Sequence, residues 1–415
     1  MSVTAPAGFT AAGVAAGVAA GHKPAGAPDL ALVVNEGPSL AAAGVVTTNR
    51  VKGAPVLWTE QVLRAGAVSA VLLDSGCANA CTGPLGFQDT HAAVERAARA
   101  LDRNAAQIAV AATGPMGVRP ALDRLLPGID LAAGQLSEFG GERAARAIMT
   151  TDTQPKTAAA RGGNGDGNGG GSGSGTAAGW TVGGMAKGGA MLAPSLATLL
   201  VVLTTDAEVP APALDRALRA ATRATFERID ADGVASPNDT VLLLASGASQ
   251  VTPDADEFAE AVHAVCADLA RQLVKDADGA TKEIRVEVTG AAGEEAALTA
   301  ARAVAGDALV KAALRAEDPA WPRVVAAVGA SGVAVEPHRL AVAVNGVQVC
   351  RGAAPADDPA AVDLRFREVT LAVDLGAGDC SATVWTTDAT AAAPRPTHHP
   401  APLPTSHPHP RAESV

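Results

Sequence analysis

Residues 184–200, which read GMAKGGAMLAPSLATLL, join a glycine-rich segment to a strongly apolar one. The pattern predicts a turn that carries Lys187, followed by a buried strand over residues 199–205 that is rich in Leu and Val. Ala197 and Thr198 stand directly before that strand. From spacing alone, an ordinary turn that leads into a strand is one interpretation, and a reactive Thr198 is another.

A threonine hydroxyl is a weak nucleophile unless a base lies beside it. The nearest base available to Thr198 is its own α-amine, which has a pKa near ~8 when free and can accept a proton at neutral pH. Freeing that amine requires cleavage of the peptide bond between Ala197 and Thr198. The segment therefore suggests a chain that makes its own nucleophile by cutting itself.

The surrounding sequence alternates apolar runs with amphipathic stretches. Strands are predicted over residues 30–34, 44–48, 70–74, 107–113, 283–290, 340–349, 369–375 and 381–386, and helices over 90–102, 140–149, 212–227, 254–275 and 294–305. This mixture predicts a layered α/β (α+β) fold. Residues 161–176 are almost all Gly, Ser and Asn, which predicts a flexible insert. The Pro- and His-rich residues 390–415 predict a disordered tail.

Composition excludes several classes of protein. The net charge of the 415-residue chain is −11, and it has no long basic run, which argues against nucleic acid or an anionic membrane as partner. No apolar run is long enough for a membrane span. Five cysteines in so long a chain do not form a disulfide framework, and their spacing does not indicate zinc. We expect a cytoplasmic protein without metal or cofactor.

Two more segments carry residues suited to chemistry. Thr113 and Gly114 end an apolar run, where a backbone N–H and a hydroxyl can point at one oxyanion. An ordinary strand-to-loop turn explains them equally well. Residues 148–156, which read IMTTDTQPK, gather hydroxyls around one acid. They are also compatible with a capped helix end.

Taken in order, these segments resemble the glutamate N-acetyltransferases of arginine biosynthesis, also called ornithine acetyltransferases, over about residues 5–388. The matching pieces are GF at 8–9, AAGV at 11–14, KP at 23–24, DLALV at 29–33, TTNRVK at 47–52, SGCANACTG at 75–83, QDT at 88–90, MTTDT at 149–153, PK at 155–156, residues 184–200, LTTDA at 203–207, NDTVLL at 238–243, LVK at 309–311 and DP at 318–319. Each piece is weak alone, but the ordered set is specific.

The resemblance implies a self-cleaving, two-chain layered fold related to that of the self-cleaving aminopeptidases. Cleavage between Ala197 and Thr198 would give an α chain of residues 1–197 and a β chain of residues 198–415, paired as two α and two β chains. Thr198 would carry the acetyl group from N2-acetylornithine to glutamate, and some members also accept acetyl-CoA. The resemblance further implies an oxyanion hole at Thr113 and Gly114. It implies that the residues which bind the amino-acid substrate are Thr150, Lys187, Thr198 and Asp278.

The chain departs from the family pattern near the expected site. Five positions differ from the residues usual in the family: Ala190 stands in place of Gly, Pro237 in place of Thr, Asp278 in place of Glu, Pro322 in place of Gly, and Asp74 in place of Asn. In addition, the family's C-terminal site residues have no counterpart after Asp388. These departures leave alternatives open: a diverged or inactive paralogue with a different acyl acceptor, a hydrolase that uses water, or a scaffold.

Overall fold

The computed structural model describes residues 2–19, 23–163, 179–189, 199–231 and 236–389. Its strands are β1 (Phe9–Val14), β2 (Leu30–Asn35), β3 (Ala42–Val46), β4 (Ala70–Asp74), β5 (Ile108–Ala112), β6 (Lys156–Gly162), β7 (Trp180–Lys187), β8 (Leu200–Thr205), β9 (Thr240–Ala245), β10 (Glu283–Ala291), β11 (Ala341–Val344), β12 (Val347–Arg351), β13 (Ala354–Pro355), β14 (Glu368–Asp374) and β15 (Cys380–Thr387). Its helices are α1 (Ala54–Leu63), α2 (Gly83–Leu101), α3 (Leu122–Ala133), α4 (Gly141–Ala147), α5 (Ala211–Ala224), α6 (Ala255–Lys275), α7 (Glu294–Ala305), α8 (Ala308–Arg315) and α9 (Trp321–Ala330).

A four-stranded sheet has the order β1-β2-β4-β5, in which β4 and β5 run parallel and the other neighbours antiparallel. Side chains on a strand alternate between faces. In β2, Leu30 and Leu32 pack with residues of α2 and α3, whereas Ala31 and Val33 pack on the opposite face. The sheet is therefore buried on both sides, which explains why its strands are almost entirely apolar.

A five-stranded sheet has the order β3-β9-β8-β7-β6, with β8 and β9 parallel. Leu200 and Val202 of β8 join the core that contains Ala31 and Val33, together with residues of α1 and α4. The alternate residues of β8 pack in a second core with α5 and α6. The two sheets thus share one apolar interior, with α2 and α3 outside one sheet and α5 and α6 outside the other.

A six-stranded sheet, β13-β12-β11-β14-β10-β15, forms its own core with α7, α8 and α9. It is joined to the rest of the chain at β15. The amide of Asp230 donates to the Trp385 carbonyl over 2.8 Å, and the Thr386 hydroxyl donates to the Asp230 carbonyl over 2.5 Å. The expected layered α/β architecture is confirmed.

Two local expectations were wrong. Residues 340–349 do not form one strand but the hairpin β11–β12, because Asn345 and Gly346 adopt positive φ angles of 47° and 84°. Lys187 does not lie in a turn but is the last residue of β7. The glycines of β7 serve close packing, since a Cβ on Gly184 would lie 2.7 Å from Leu203 Cδ2.

Other predictions concern residues that lie partly or wholly outside the described part of the chain. Residues 161 and 162 of the expected insert belong to β6, and residues 164–176 lie outside the described residues. The tail from residue 390 and the α/β chain boundary between residues 189 and 199 also lie outside them. Helix α2 begins at Gly83, seven positions earlier than residue 90, where periodicity predicted its start.

Candidate active site

One edge of the paired sheets gathers strand ends from distant parts of the chain. The last residue of β7 pairs with the first residue of β8, since Lys187 lies opposite Leu200. The side chain of Asn238, just before β9, donates to the carbonyl of Ala112 at the end of β5 over 2.8 Å. This edge therefore brings together the segments that the sequence singled out.

Thr113 and Gly114 follow β5 at this edge. The amide of Thr113 donates to the Asp74 carbonyl over 2.9 Å, and only 1% of Thr113 is exposed. Gly114 has a φ of +124°, and a Cβ there would lie 3.0 Å from Cys77 Cα. Only glycine fits this conformation and this close approach, so the turn is fixed by local sterics.

Lys187 contacts the same turn. Its Nζ lies 3.3 Å from Thr113 Oγ1 and donates a hydrogen bond to it. Because Lys187 is 1% exposed, burial lowers the pKa of its ammonium, while the carboxylate of Asp152 opposes that shift. A Thr113 hydroxyl that accepts from Lys187 keeps its own proton available for another acceptor.

Asp152 connects the hydroxyl-rich segment to the end of β7. Its Oδ2 accepts the Thr150 amide over 3.0 Å, and its Oδ1 accepts the Gly188 amide over 2.8 Å and Lys156 Nζ over 2.6 Å. Burial would raise the pKa of Asp152, but Lys187, Lys156 and the Gly188 amide outweigh it and lower the pKa to about 2. Asp152 is therefore a buried carboxylate that stays ionised.

The backbone of Asp278 contacts the same segment, directly after β7. It follows the end of α6, and its amide donates to the carbonyl of Gly189 over 2.7 Å. The expected substrate-binding residues Thr150, Lys187 and Asp278 thus all lie beside the chain that leaves β7. Whether they bind substrate stays a prediction.

Ala197 and Thr198 lie outside the described residues, but the chain is described from Leu199 onward. The amide of Leu199 donates to Asp239 Oδ1 over 2.7 Å, and its carbonyl accepts the amide of Thr240 over 2.9 Å. The position directly after the expected nucleophile is therefore held against the start of β9. Asp239 was not among the predicted site residues, although it lies in the motif NDT at 238–240, directly before an apolar strand.

A second polar cluster supports the loop behind the turn at Thr113 and Gly114. Lys23 Nζ donates to Ser75 Oγ over 2.7 Å and to the Ala147 carbonyl over 2.8 Å, and burial lowers the pKa of Lys23 to about 8. Burial raises the pKa of Asp74 to about 7, although its Oδ1 accepts the Gly76 amide over 2.7 Å. The substitution of an Asn by Asp74 thus places a titratable group behind the turn.

Two of the residues that differ from the family pattern, Pro322 and Pro237, are compatible with the local structure. Pro322 lies in the first turn of α9, where a missing N–H leaves no helical hydrogen bond unmade. Pro237 still offers its carbonyl, which accepts the Gly53 amide over 3.0 Å. Ala190 lies outside the described residues.

The described part of the chain contains no group of three His, Cys, Asp or Glu side chains that could hold a metal ion. Cys77 is buried, and burial raises the pKa of its thiol to about 12. Across the described ranges, no helix has the length and apolar character that crossing a membrane requires.

The ArgJ family model matches residues 14–392 of this chain. The arginine biosynthesis bifunctional protein ArgJ of Streptomyces avermitilis is 59% identical over 391 residues, which cover 94% of this chain and 97% of that protein. The protein of the same name from Mycobacterium tuberculosis H37Rv is 52% identical over 393 residues, 93% of each chain.

A solved structure, titled as ornithine acetyltransferase from M. tuberculosis complexed with ornithine, is 51% identical and covers 48% of this chain and 96% of that chain, with a TM-score of 0.42. Similarity to ArgJ proteins over nearly the whole chain does not favour an inactive paralogue or a scaffold. The resemblance first noted in short motifs is confirmed, and this chain belongs to the ArgJ family.

Proposed function

We propose that this chain is the bifunctional enzyme of arginine biosynthesis that moves an acetyl group from N2-acetylornithine to glutamate. One observation carries the proposal: in a chain of the ArgJ family, Thr113, Lys187 and the start of the chain after Thr198 meet at one buried sheet edge. The curated relatives named above carry the bifunctional name, which accords with this activity.

The reaction proceeds in two acyl transfers. The Thr198 hydroxyl oxygen attacks the acetyl carbonyl, the freed α-amine takes the hydroxyl proton, and ornithine leaves with that proton on its nitrogen. The glutamate amine then attacks the carbonyl carbon of the acetyl ester and gives a proton to the α-amine. The α-amine passes that proton to the Thr198 oxygen as the ester C–O bond breaks, which releases acetylglutamate and restores the hydroxyl. In both steps, the negative oxygen is stabilised by the Gly114 amide and the Thr113 hydroxyl, whose lone pair Lys187 occupies.

Charge complementarity assigns the substrate contacts. Lys187 and Thr150 suit the α-carboxylate that ornithine and glutamate share. Asp278 suits the side-chain amine that ornithine has and glutamate lacks. Since Asp278 is one methylene shorter than the family's Glu, its reach toward that amine is reduced.

The remaining expectations belong to the same proposal. Self-cleavage yields chains of residues 1–197 and 198–415, which assemble as two α and two β chains, and acetyl-CoA can serve as an alternative donor. A cytoplasmic location fits the cysteines, which are all free.

Denaturing electrophoresis and N-terminal sequencing of the purified chain test the first step. We expect two fragments, one of them beginning Thr-Leu-Leu-Val-Val, and a single band for Thr198→Ala. Ser195→Ala, which removes a hydroxyl three positions away, is the matched control and should still give two bands. A single uncleaved chain in the native protein overturns the proposal.

Acetyl transfer is then followed by mass spectrometry with acetylornithine and glutamate. We expect acetylglutamate and ornithine in equal amounts. Release of acetate without acetylglutamate would instead establish a hydrolase.

A further inference from the structure

Three short segments carry the residues assigned above to the substrate: Thr150 lies in residues 150–156, Lys187 in residues 187–189, and Asp278 in residues 276–278. The carboxylate of Asp152 accepts the Gly188 amide over 2.8 Å. The amide of Asp278 donates to the Gly189 carbonyl over 2.7 Å. These two hydrogen bonds connect the second segment to the first and to the third.

Asp276 connects the third segment to the first. It is the residue that ends α6, and its carboxylate accepts the Thr153 amide over 2.9 Å, the Thr153 hydroxyl, and Lys156 Nζ over 2.5 Å. The side chain of Asp276 is 13% exposed and that of Lys156 is 2% exposed. Burial would raise the pKa of Asp276, but the hydrogen bonds from Lys156 and Thr153 outweigh it and lower that pKa. An ionised carboxylate therefore closes a ring of contacts among the three segments.

The packing of α6 has its own support, one turn before Asp276. The side-chain amide of Gln272 donates to the Thr157 carbonyl over 3.0 Å, and its oxygen accepts the Thr157 amide over 3.2 Å. Leu269 and Leu273 of the same helix are buried in the core. These contacts hold α6 against β6 without Asp276, so the hydrogen bonds of Asp276 act mainly on the segment that follows the helix.

Covalent geometry passes the position of Asp276 on to Asp278. Only Ala277 separates them, so their Cα atoms lie at most about 7 Å apart. A shift of Asp276 relative to Thr153 therefore changes the distance between Asp278 and Thr150. In ornithine, a fixed number of carbons joins the side-chain amine to the α-carboxylate, and a misplacement of about 1 Å in a binding site can cost about 10²-fold in rate.

We propose that Asp276 is a positioning residue that fixes the spacing between Asp278 and Thr150 and thereby selects a diamino acid with the chain length of ornithine. This inference rests on the proposed function, which assigns Asp278 to the side-chain amine and Thr150 to the α-carboxylate. Glutamate has no side-chain amine, so its reaction depends far less on this spacing.

The test compares Asp276→Asn with the native protein and with Asp268→Asn, which removes an exposed carboxylate of the same helix. The value of kcat/KM is measured for acetylornithine, for N2-acetyllysine, which is one methylene longer, and for glutamate. In a two-step transfer, each value reports only the step that its substrate enters. For Asp276→Asn, we expect kcat/KM to fall at least about fivefold for acetylornithine and to stay within about twofold for glutamate. The preference for acetylornithine over N2-acetyllysine should narrow, and Asp268→Asn should match the native protein for all three substrates.

A double variant shows whether Asp276 acts through Asp278. In an Asp278→Asn background, adding Asp276→Asn should change kcat/KM for acetylornithine by less than about twofold, because the group that it positions is already gone. Losses that multiply in the double variant contradict the inference. Equal losses for acetylornithine and glutamate, or native selectivity in Asp276→Asn, also overturn it.

If Asp276→Asn aggregates, Asp276→Glu replaces it, because it keeps the charge and moves the carboxylate by one methylene. A narrowed preference for acetylornithine over N2-acetyllysine in that variant supports the role, and an unchanged preference contradicts it. A native chain that transfers no acetyl group rejects the proposed function and this inference with it, whereas an active native chain with an unaffected Asp276→Asn rejects the inference alone.

Discussion

Replacing Asp152 with Asn removes the charge at the centre of the network beside β7. The shape is kept, and one oxygen can still accept the Gly188 or Thr150 amide. What is lost is the negative charge that faces Lys156 and Lys187, both of which are 2% exposed or less. Lys156 keeps a second partner, Asp276, at 2.5 Å.

The structure sets the size of the effect. The pKa of Asp152 is lowered from 3.8 to about 2. A shift of roughly two units corresponds to about 2.5 kcal/mol of unfolding free energy. Because the folded-state pKa is depressed, this stability is present above pH ~4 and is lost as the pH falls toward ~2. Because the substitution also removes a negative charge beside two buried ammonium groups, the total cost rises to about 3–5 kcal/mol.

Urea unfolding, followed by circular dichroism at pH 7, 5 and 3.5, measures this loss. We expect Asp152→Asn to unfold at a clearly lower urea concentration at pH 7 and 5, and the difference to shrink at pH 3.5. Asp268→Asn, which removes an exposed carboxylate, should change the midpoint little. An Asp152→Asn midpoint equal to that of the native protein at pH 7 would refute the reasoning.

Two further substitutions test the turn and its support. Thr113→Val should lower kcat/KM for acetylornithine by about 10²-fold, because an oxyanion donor contributes roughly that much, while Thr113→Ser keeps most activity. Equal steady-state kinetics for the Val variant and the native enzyme would exclude the hydroxyl from the oxyanion hole. Burial raises the pKa of Asp74 to about 7, so the stability it contributes is full below pH ~4 and is lost as the pH rises to ~7. Asp74→Asn should therefore gain stability over the native protein as the pH increases, and a urea-midpoint difference that is the same at pH 4.5 and pH 8 would contradict this.

The strands that were predicted correctly are those whose apolar pattern is visible within their own short stretch of sequence. Residues 70–74 are uniformly apolar and form β4, and the alternation in residues 283–290 forms β10 with its buried positions on one face. Such patterns reflect burial, which the sequence records directly. The prediction of a single strand over residues 340–349 was wrong because Asn345 and Gly346 both adopt positive φ angles, which turn the chain into a hairpin.

The site was predicted less completely because its contacts are distant in the chain. Lys187 and Thr113 are 74 residues apart, and Gly188 and Asp152 are 36 residues apart. Of the residues that the resemblance implied, the described ones lie near one sheet edge, but the carboxylates Asp152 and Asp239 that contact this region were given no role. The motif NDT at 238–240 marks Asp239, and the hydroxyl-rich segment 148–156 contains Asp152, but both patterns also fit a capping or turn residue. Only the sheet topology shows what each carboxylate holds.

The position of the expected cleavage point explains how the fold can survive it. Residues 188–199 connect β7 to β8, which are adjacent antiparallel strands whose ends lie side by side, with Lys187 opposite Leu200. Neither strand depends on that connection. β7 also pairs with β6, β8 also pairs with β9, and Leu199 is held by Asp239 through its own amide. Cutting the connection would therefore leave these described strand pairings in place, so two fragments would remain joined through a shared sheet.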